Sequence, residues 1–164
     1  MKRFSVGMFG GKFLPLHLGH EYCVKVAAEE CGTVYAILFW GGADEERICR
    51  DMRCEWLSHT ERMRRLREIA GIFPNVTACE IDISALKLND GSDDWDAEIP
   101  LVRGICGGRI DAVYSSEEGY SEYFAGAYPE AVHRLVDVKR LHFPISGTKI
   151  RSMNTEEERR KWMI

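Results

Sequence analysis

The chain has 164 residues, 45% of them hydrophobic, which is enough for one ordinary globular domain with a sizeable core, so residues 1–164 are read as a single domain. Twenty-two Lys and Arg against 26 Asp and Glu leave a formal net charge of −4, which offers no bulk charge for a nucleic-acid surface and requires any anion site to be local. The opening Met1-Lys2-Arg3-Phe4 leads into an apolar run much shorter than an export-signal core or a membrane span, so a cytoplasmic protein without membrane contact is expected. The six cysteines (Cys23, Cys31, Cys49, Cys54, Cys79 and Cys106) include no CxxC pair and suit reduced, mostly buried thiols. Cys49, Cys54 and His59 lack both the regular spacing and the fourth ligand of a structural zinc site.

Apolar runs alternate with amphipathic stretches from the start, as in βα units feeding a parallel sheet. The expected fold is α/β, a Rossmann-like open parallel sheet of about five strands with helices on both faces. Phe4 to Phe9 is the first predicted strand, and it runs into Gly10-Gly11-Lys12-Phe13-Leu14-Pro15-Leu16-His17-Leu18-Gly19-His20. Glycines let a backbone approach a ligand closely, and the N-terminus of the following helix offers free N–H groups and a positive dipole end, which predicts a phosphate seat. The spacing is not that of a Walker A loop. Lys12, His17 and His20 are the donors the turn supplies; in the plainer reading, one histidine caps the helix and the other packs.

The helix His20 to Cys31 carries Cys23, Val24, Ala27, Ala28 and Cys31 on one face. A strand is predicted over Thr33 to Trp40, and Gly41 to Trp56, polar and aperiodic, reads as a loop or flap. Ser58-His59-Thr60-Glu61 has capping-box spacing ahead of the stripe Met63, Leu66, Ala70 and Phe73, with Arg62, Arg64, Arg65 and Arg67 read as a mostly solvated face. Val76 to Asp82 is a third strand, and the irregular stretch to Asp94 ends in strong turn chemistry. Trp95 to Cys106 is a helix in which Pro100 falls near the first turn or makes a kink. Asp111 to Ser115 and Val132 to Val138 complete the predicted strands.

Ile145-Ser146-Gly147-Thr148-Lys149-Ile150-Arg151 follows, with Ser146 placed to cap a short helix, hydroxyls from Ser146 and Thr148, and a fixed charge from Arg151. Anions favour such an end, and if strands one and five were neighbours the two helix starts would share the C-terminal edge of the sheet. Thr155 and Glu158 can cap a last short helix, about 155–162, with a structural role.

The pair H-x-G-H and I-S-x-T-x-x-R on an alternating α/β chain resembles the nucleotidyltransferase superfamily, which includes nucleotide adenylyltransferases and cytidylyltransferases. Gly11 to His20, Tyr114-Ser115-Ser116-Glu117-Glu118, and Val136 to Arg140 followed by Ile145 to Thr148 most resemble the nicotinamide-nucleotide adenylyltransferase domain of bifunctional bacterial NAD-biosynthesis regulators. The resemblance covers nearly the whole chain. It implies an adenylyltransferase that joins AMP from ATP to nicotinamide mononucleotide, with His17, His20, Lys12 and Arg151 as catalytic residues. Gly10, Gly11, Phe13, Gly19, Ser146, Gly147 and Thr148 are then expected on ATP and its phosphates. Pro15, and Leu14 where cytidylyltransferases carry Asp, favour ATP over CTP.

The same resemblance puts Trp95 on the nicotinamide ring, although a packing tryptophan is the plain alternative. It puts Ser116 and Glu117 near the adenosine or ribose, although Glu117 equally suits a solvated first-turn carboxylate. Arg140 is expected to clamp a phosphate or to pair with Asp137. Mg²⁺ is implied, bound mainly through substrate phosphates, with no metal site of the protein's own. Other phosphorylated acceptors, such as phosphopantetheine or FMN, and a nucleotide-sensing module without turnover are the competing readings. The resembling proteins also carry a kinase domain, and some a DNA-binding segment, neither of which fits in 164 residues. A homo-oligomer is compatible with the sequence.

Overall fold

The computed structural model describes residues 1–52 and 57–164. Cys54, and with it the zinc grouping weighed above, lies outside the described residues. Five strands, β1 (Phe4–Gly11), β2 (Cys31–Trp40), β3 (Val76–Asp82), β4 (Ala112–Ser115) and β5 (Val132–Leu135), form one all-parallel sheet in the order β3-β2-β1-β4-β5. Strands one and five are therefore not neighbours, because β4 lies between them. The difference follows from burial: all four residues of β4 are buried, as an interior parallel strand requires, whereas Val132 at the start of β5 is exposed and β5 takes the edge.

Side chains alternate across the sheet and build a core on each face. Phe9, Val34, Ala36, Leu38, Ala112 and Tyr114 pack with helices α1 (Leu18–Glu30) and, past the 41–56 segment, α3 (His59–Ile72). Met8, Ile37, Ile81 and Val113 point the other way, to α4 (Trp95–Cys106) and α5 (Ser121–Ala127). The predicted helices on both faces are present. Pro100 sits inside α4, which continues through it to a left-handed Gly107 at φ 78°. The short helices α6 (Gly147–Arg151) and α7 (Glu156–Arg160) close the chain, with Ser146 and Thr155 as their N-caps. No helix among the described residues is long and apolar enough to cross a membrane.

Strand β5 stops at Leu135, short of the predicted Val138, because Asp137 turns the backbone to φ 50° and its carboxylate accepts hydrogen bonds from the N–H groups of Leu141, His142 and Phe143. A larger departure lies in the predicted 41–56 loop, which contains the helix α2 (Glu45–Met52). Glu45 and Glu46 in its first turn and Arg50 in its last complement the helix dipole, a signal carried by charge rather than by apolar period.

Glu45 is buried, accepts from the N–H groups of Gly41 and Gly42, and forms an ion pair with Arg62. Arg62 is accordingly not on a solvated face. It is 1% exposed, and it donates from Nε to the Leu57 carbonyl at 2.9 Å and from a terminal nitrogen to the Lys12 carbonyl at 2.8 Å. At about 100° per residue a run of arginines cannot keep one face. Arg62 turns inward while Arg64 and Arg65 pair with Glu61 outside. Replacing Arg62 by Met is expected to leave Glu45 buried without its counter-ion, destabilising the fold by about 3 kcal/mol, read as a fall in Tm of roughly 6 to 12 °C by calorimetry.

Candidate active site

The turn from β1 to α1 is built by two histidines that hold each other. His17 is the N-cap of α1, and its Nδ1 accepts from the N–H of Gly19 at 3.1 Å. The Nδ1 of His20 accepts in turn from the N–H of His17 at 3.2 Å, so the pair forms a capping box made of imidazoles, with rings stacked 3.7 Å apart between centroids. Gly19 is required between them because a Cβ there would lie 2.9 Å from the His17 ring. Phe13, at φ 52°, presents its ring edge-on to His20 at 4.9 Å. Each neutral imidazole has its Nδ1 engaged as an acceptor, which leaves Nε2–H as its donor.

The backbone does not supply the phosphate donors that the sequence led us to expect. The N–H of Leu18 goes to the Trp162 carbonyl at 2.8 Å, that of Gly19 to His17, and those of His20 and Glu21 to the His17 carbonyl. The helix start is saturated by its own cap and by the C-terminal segment, so the side chains carry the anion-binding capacity.

A cavity of about 380 Å³ opens at the C-terminal ends of β1 and β4. Its lining includes Gly10, Gly11, Lys12, Phe13, His17, His20, Trp95, Ser116, Glu117 and Arg140 among the residues singled out from sequence. Two of its cations already have partners. Lys12 pairs with Asp93 at 2.9 Å, and the same carboxylate takes Lys87 at 2.8 Å and the N–H of Ala43. Arg140 pairs with Glu117 at 2.5 Å and not with Asp137, whose carboxylate is committed to the three N–H groups of its own loop. Glu117 is an exposed carboxylate held by this ion pair; it is the N-cap residue of the 3₁₀ turn at Glu118–Tyr120 but makes no side-chain capping bond there. Ser116 hydrogen-bonds Cys23 of α1 at 3.4 Å.

Burial, then the charge of Arg140, lowers the His17 pKa to about 4; burial, then His17 and Arg140, puts His20 well below the ordinary value. Both rings are neutral at pH 7.

Gly19 and the second motif, Ser146, Gly147, Thr148 and Arg151, are not on the cavity wall. Ser146 accepts from the N–H of Lys149, and Arg151 donates to the carbonyl of Leu14 and to the Thr148 hydroxyl at 3.4 Å. A Cβ on Gly147 would meet that Leu14 carbonyl at 2.9 Å. The motif buttresses the β1–α1 turn from behind, across the cis Leu14–Pro15 bond.

Apart from Trp95, which the sequence pointed to, the far wall of the cavity was missed from sequence. Trp95 is 39% exposed and stands edge-on to Tyr123 at 5.2 Å and tilted to Tyr120 at 5.5 Å, while the Tyr123 hydroxyl donates to the Trp95 carbonyl. Tyr120, Tyr123, Phe124 and Tyr128 continue this aromatic surface, and Glu98 of α4 shares it. The i, i+3 spacing of Trp95 and Glu98, and of Tyr120 and Tyr123, was the available signal. Burial, then the Asp93 carboxylate, raises the Glu98 pKa to about 7.

Among the described residues no group of three or more His, Cys, Asp or Glu could hold a metal ion. His17, His20, Lys12 and Arg140 on the cavity wall offer N–H donors rather than the oxygen ligands that a hard cation such as Mg²⁺ takes.

The cleft lies at the point where an open parallel sheet reverses its strand order, the place where such α/β sheets bind ligands, and it is bordered by paired histidines and cations; in fold and in sequence the chain is similar to NadR. The chain is 27% identical over 150 residues to the trifunctional NAD biosynthesis/regulator protein NadR of Escherichia coli (strain K12), and 25% identical over 150 residues to that of Salmonella typhimurium. Each match covers 90% of this chain and 36% of the relative, so the chain spans about a third of the length of these curated proteins. No profile of a known protein family matches it.

Among solved structures, NadR in complex with NAD and AMP-PNP superposes with a TM-score of 0.63 at 22% identity, over 92% of this chain and 43% of the other. NadR in complex with NR gives 0.67 at 21%, over 97% and 42%. A bifunctional NMN adenylyltransferase/ADP ribose pyrophosphatase from Francisella tularensis, complexed with AMP and a Mn ion, gives 0.58 at 16%, over 93% and 43%.

The lowered His17 pKa makes stability depend on pH with a definite sign. A base whose folded pKa lies below its unfolded value destabilises the fold when it must protonate, so the contribution of His17 is complete above about pH 6.5 and is lost as pH falls towards about 4. Urea melts at pH 7 and pH 4.5 are expected to show this loss, up to about 3 kcal/mol from His17. His17→Asn keeps a side-chain cap but does not titrate, and its stability is expected to fall less over the same interval.

Proposed function

We propose that the chain is an adenylyltransferase that transfers AMP from ATP to nicotinamide mononucleotide, forming NAD and pyrophosphate. The observation that carries this reading is the imidazole capping box, which holds two neutral rings in the Nε2–H tautomer on the wall of the cleft, beside Lys12 and Arg140. The similarity to NadR, which has been solved with NAD and AMP-PNP, supports the choice of substrates, and the exposed Trp95 supports a flat, cationic acceptor ring.

In this reading the 5′-phosphate oxygen of the acceptor attacks the α-phosphorus of ATP as the bond to the pyrophosphate oxygen breaks. A phosphate monoester with a second pKa of about 6 is already anionic near neutrality, so the reaction needs neither a general base nor a protein nucleophile. Catalysis is then alignment and charge stabilisation. His17 and His20 donate hydrogen bonds to the phosphates, and Lys12 and Arg140 neutralise them after exchanging Asp93 and Glu117 for phosphate oxygens. Arg151, with Ser146, Gly147 and Thr148, acts as a positioning group through the turn it holds.

Ser116 and Glu117 border the adenosine, and Trp95 stacks on the nicotinamide. Mg²⁺ belongs to this reading as a counter-ion carried by the triphosphate, a role supported by the Mn ion in the Francisella tularensis structure.

Pyrophosphate release from ATP is expected only when nicotinamide mononucleotide is present, measured with a coupled pyrophosphatase assay. No release with that acceptor would reject the reading in favour of a sensor or a different acceptor. His20→Ala is expected to lower kcat by about a hundredfold or more while leaving the Kd for nicotinamide mononucleotide within about threefold. Trp95→Ala is expected to raise the acceptor KM by about tenfold, corresponding to the loss of one desolvated cation–π contact.

A further inference from the structure

Glu98 has an unusual position for a carboxylate. It lies on the wall of the cavity, half-buried, one helical turn beyond Trp95 in α4. Among the described residues it makes no hydrogen bond or ion pair to the protein, although the neighbouring Asp93 and Asp94 both do. The groups that face it electrostatically are Asp93 and Asp94 ahead of α4, Lys12 at the end of β1, Lys87, and the phenols of Tyr123 and Tyr128 from α5 and its C-cap. Both lysines are engaged by the one carboxylate of Asp93, and neither forms an ion pair with Glu98. A half-buried carboxyl without a partner, in a cavity built for a ligand, is costly unless the ligand supplies the missing donor.

We propose that Glu98 makes the acceptor site discriminate between a ring bearing a carboxamide and one bearing a carboxylate, by accepting an N–H of the amide and repelling the acid. The inference rests on the acceptor reading above and adds to it the residue that selects between two otherwise isosteric mononucleotides. With the ring stacked on Trp95, a substituent reaching one helical turn along α4 meets Glu98. An amide has two N–H donors, and one satisfies the carboxylate directly. A carboxylate substituent has none, and it would place a second anion beside Glu98 and Asp93, where like-charge juxtaposition disfavours the wrong ligand. The raised pKa of Glu98 agrees with this crowding, and a cationic pyridinium in the same cavity would draw the group back to its ionised form.

The test is the ratio of kcat/KM for nicotinamide mononucleotide to that for nicotinic acid mononucleotide, measured by pyrophosphate release for the native chain and for Glu98→Gln. Gln has the same shape, can still accept an amide N–H, and relieves the repulsion from Asp93, so the variant is expected to fold with an undiminished Tm. The native chain is expected to prefer the amide by at least about a hundredfold, and the variant to narrow that ratio about tenfold or more, mainly through a lower KM for the acid. An unchanged ratio in a folded variant that still turns over the amide overturns the role of Glu98 and leaves the adenylyltransferase reading standing. Turnover of neither mononucleotide by the native chain overturns both.

Discussion

The reciprocal hydrogen bonds between His17 and His20 are the constraint on which the rest of the site depends. Capping a helix with an imidazole fixes the ring, its tautomer and its protonation state together. The Nδ1 atoms must stay unprotonated to accept the N–H groups of Gly19 and His17, and burial against Phe13 and Phe9 opposes any added charge. The two rings are therefore neutral Nε2–H donors rather than cations. This is why the pattern H-x-G-H is needed as a unit: a side chain on Gly19 would collide with the ring that caps it, and the three-residue spacing brings His20 back over the backbone of His17.

That local device is held in place from a distance. Leu18 N–H is bonded to Trp162, and His17 forms an isolated bridge with Met163, so the C-terminal segment completes the cap of the first helix. Arg151 and Gly147 close on the carbonyl of Leu14, and Ile145 lies buried beside Gly19. Residues more than 120 positions apart thus share one turn, while β1 sits centrally in the sheet with β2 on one side and β4 on the other. Neighbouring strands are not needed to bring the two motifs together. The loop from β5 travels back across β4 and delivers α6 to the outer side of the β1–α1 turn.

The fold was legible because its signals are periodic. The five strands lie within two residues of their expected starts, and the helix faces of α1 and α3 follow from apolar spacing. Helix α2 was hidden because its order comes from Glu45 reaching across to Arg62, a pairing between segments for which sequence period gives no sign. The end of β5 was hidden for a related reason, since the three N–H groups gathered by Asp137 override the apolar continuation through Val138. In the site, the histidines and Lys12 were readable from their motif. Tyr120, Tyr123, Phe124 and Glu98 were not, because each looks like an ordinary helix residue until α4 and α5 are placed over the same cleft. The motif around Ser146 was readable as a motif, yet its contacts run to a backbone carbonyl behind the turn, a partner that residue type alone does not reveal.

The distribution of charge in the cleft sets a condition on any ligand. Lys12 and Arg140 each face a carboxylate, Asp93 and Glu117, and the imidazoles are neutral, so the cleft carries donors and cations without a large net field. A neutral nucleoside would leave those ion pairs intact and meet only the imidazole Nε2–H groups. A polyphosphate competes with Asp93 and Glu117 for the same cations while accepting from both imidazoles, so each ion pair it opens is replaced by another charge-assisted contact. Because opening the part-buried Lys12–Asp93 pair without a replacement costs far more than exchanging it, the arrangement favours ligands able to supply that replacement. On the adenylyltransferase reading, the ground-state pairing of Lys12 and Arg140 is itself a source of selectivity for the triphosphate, and the imidazoles supply the donors that require no exchange.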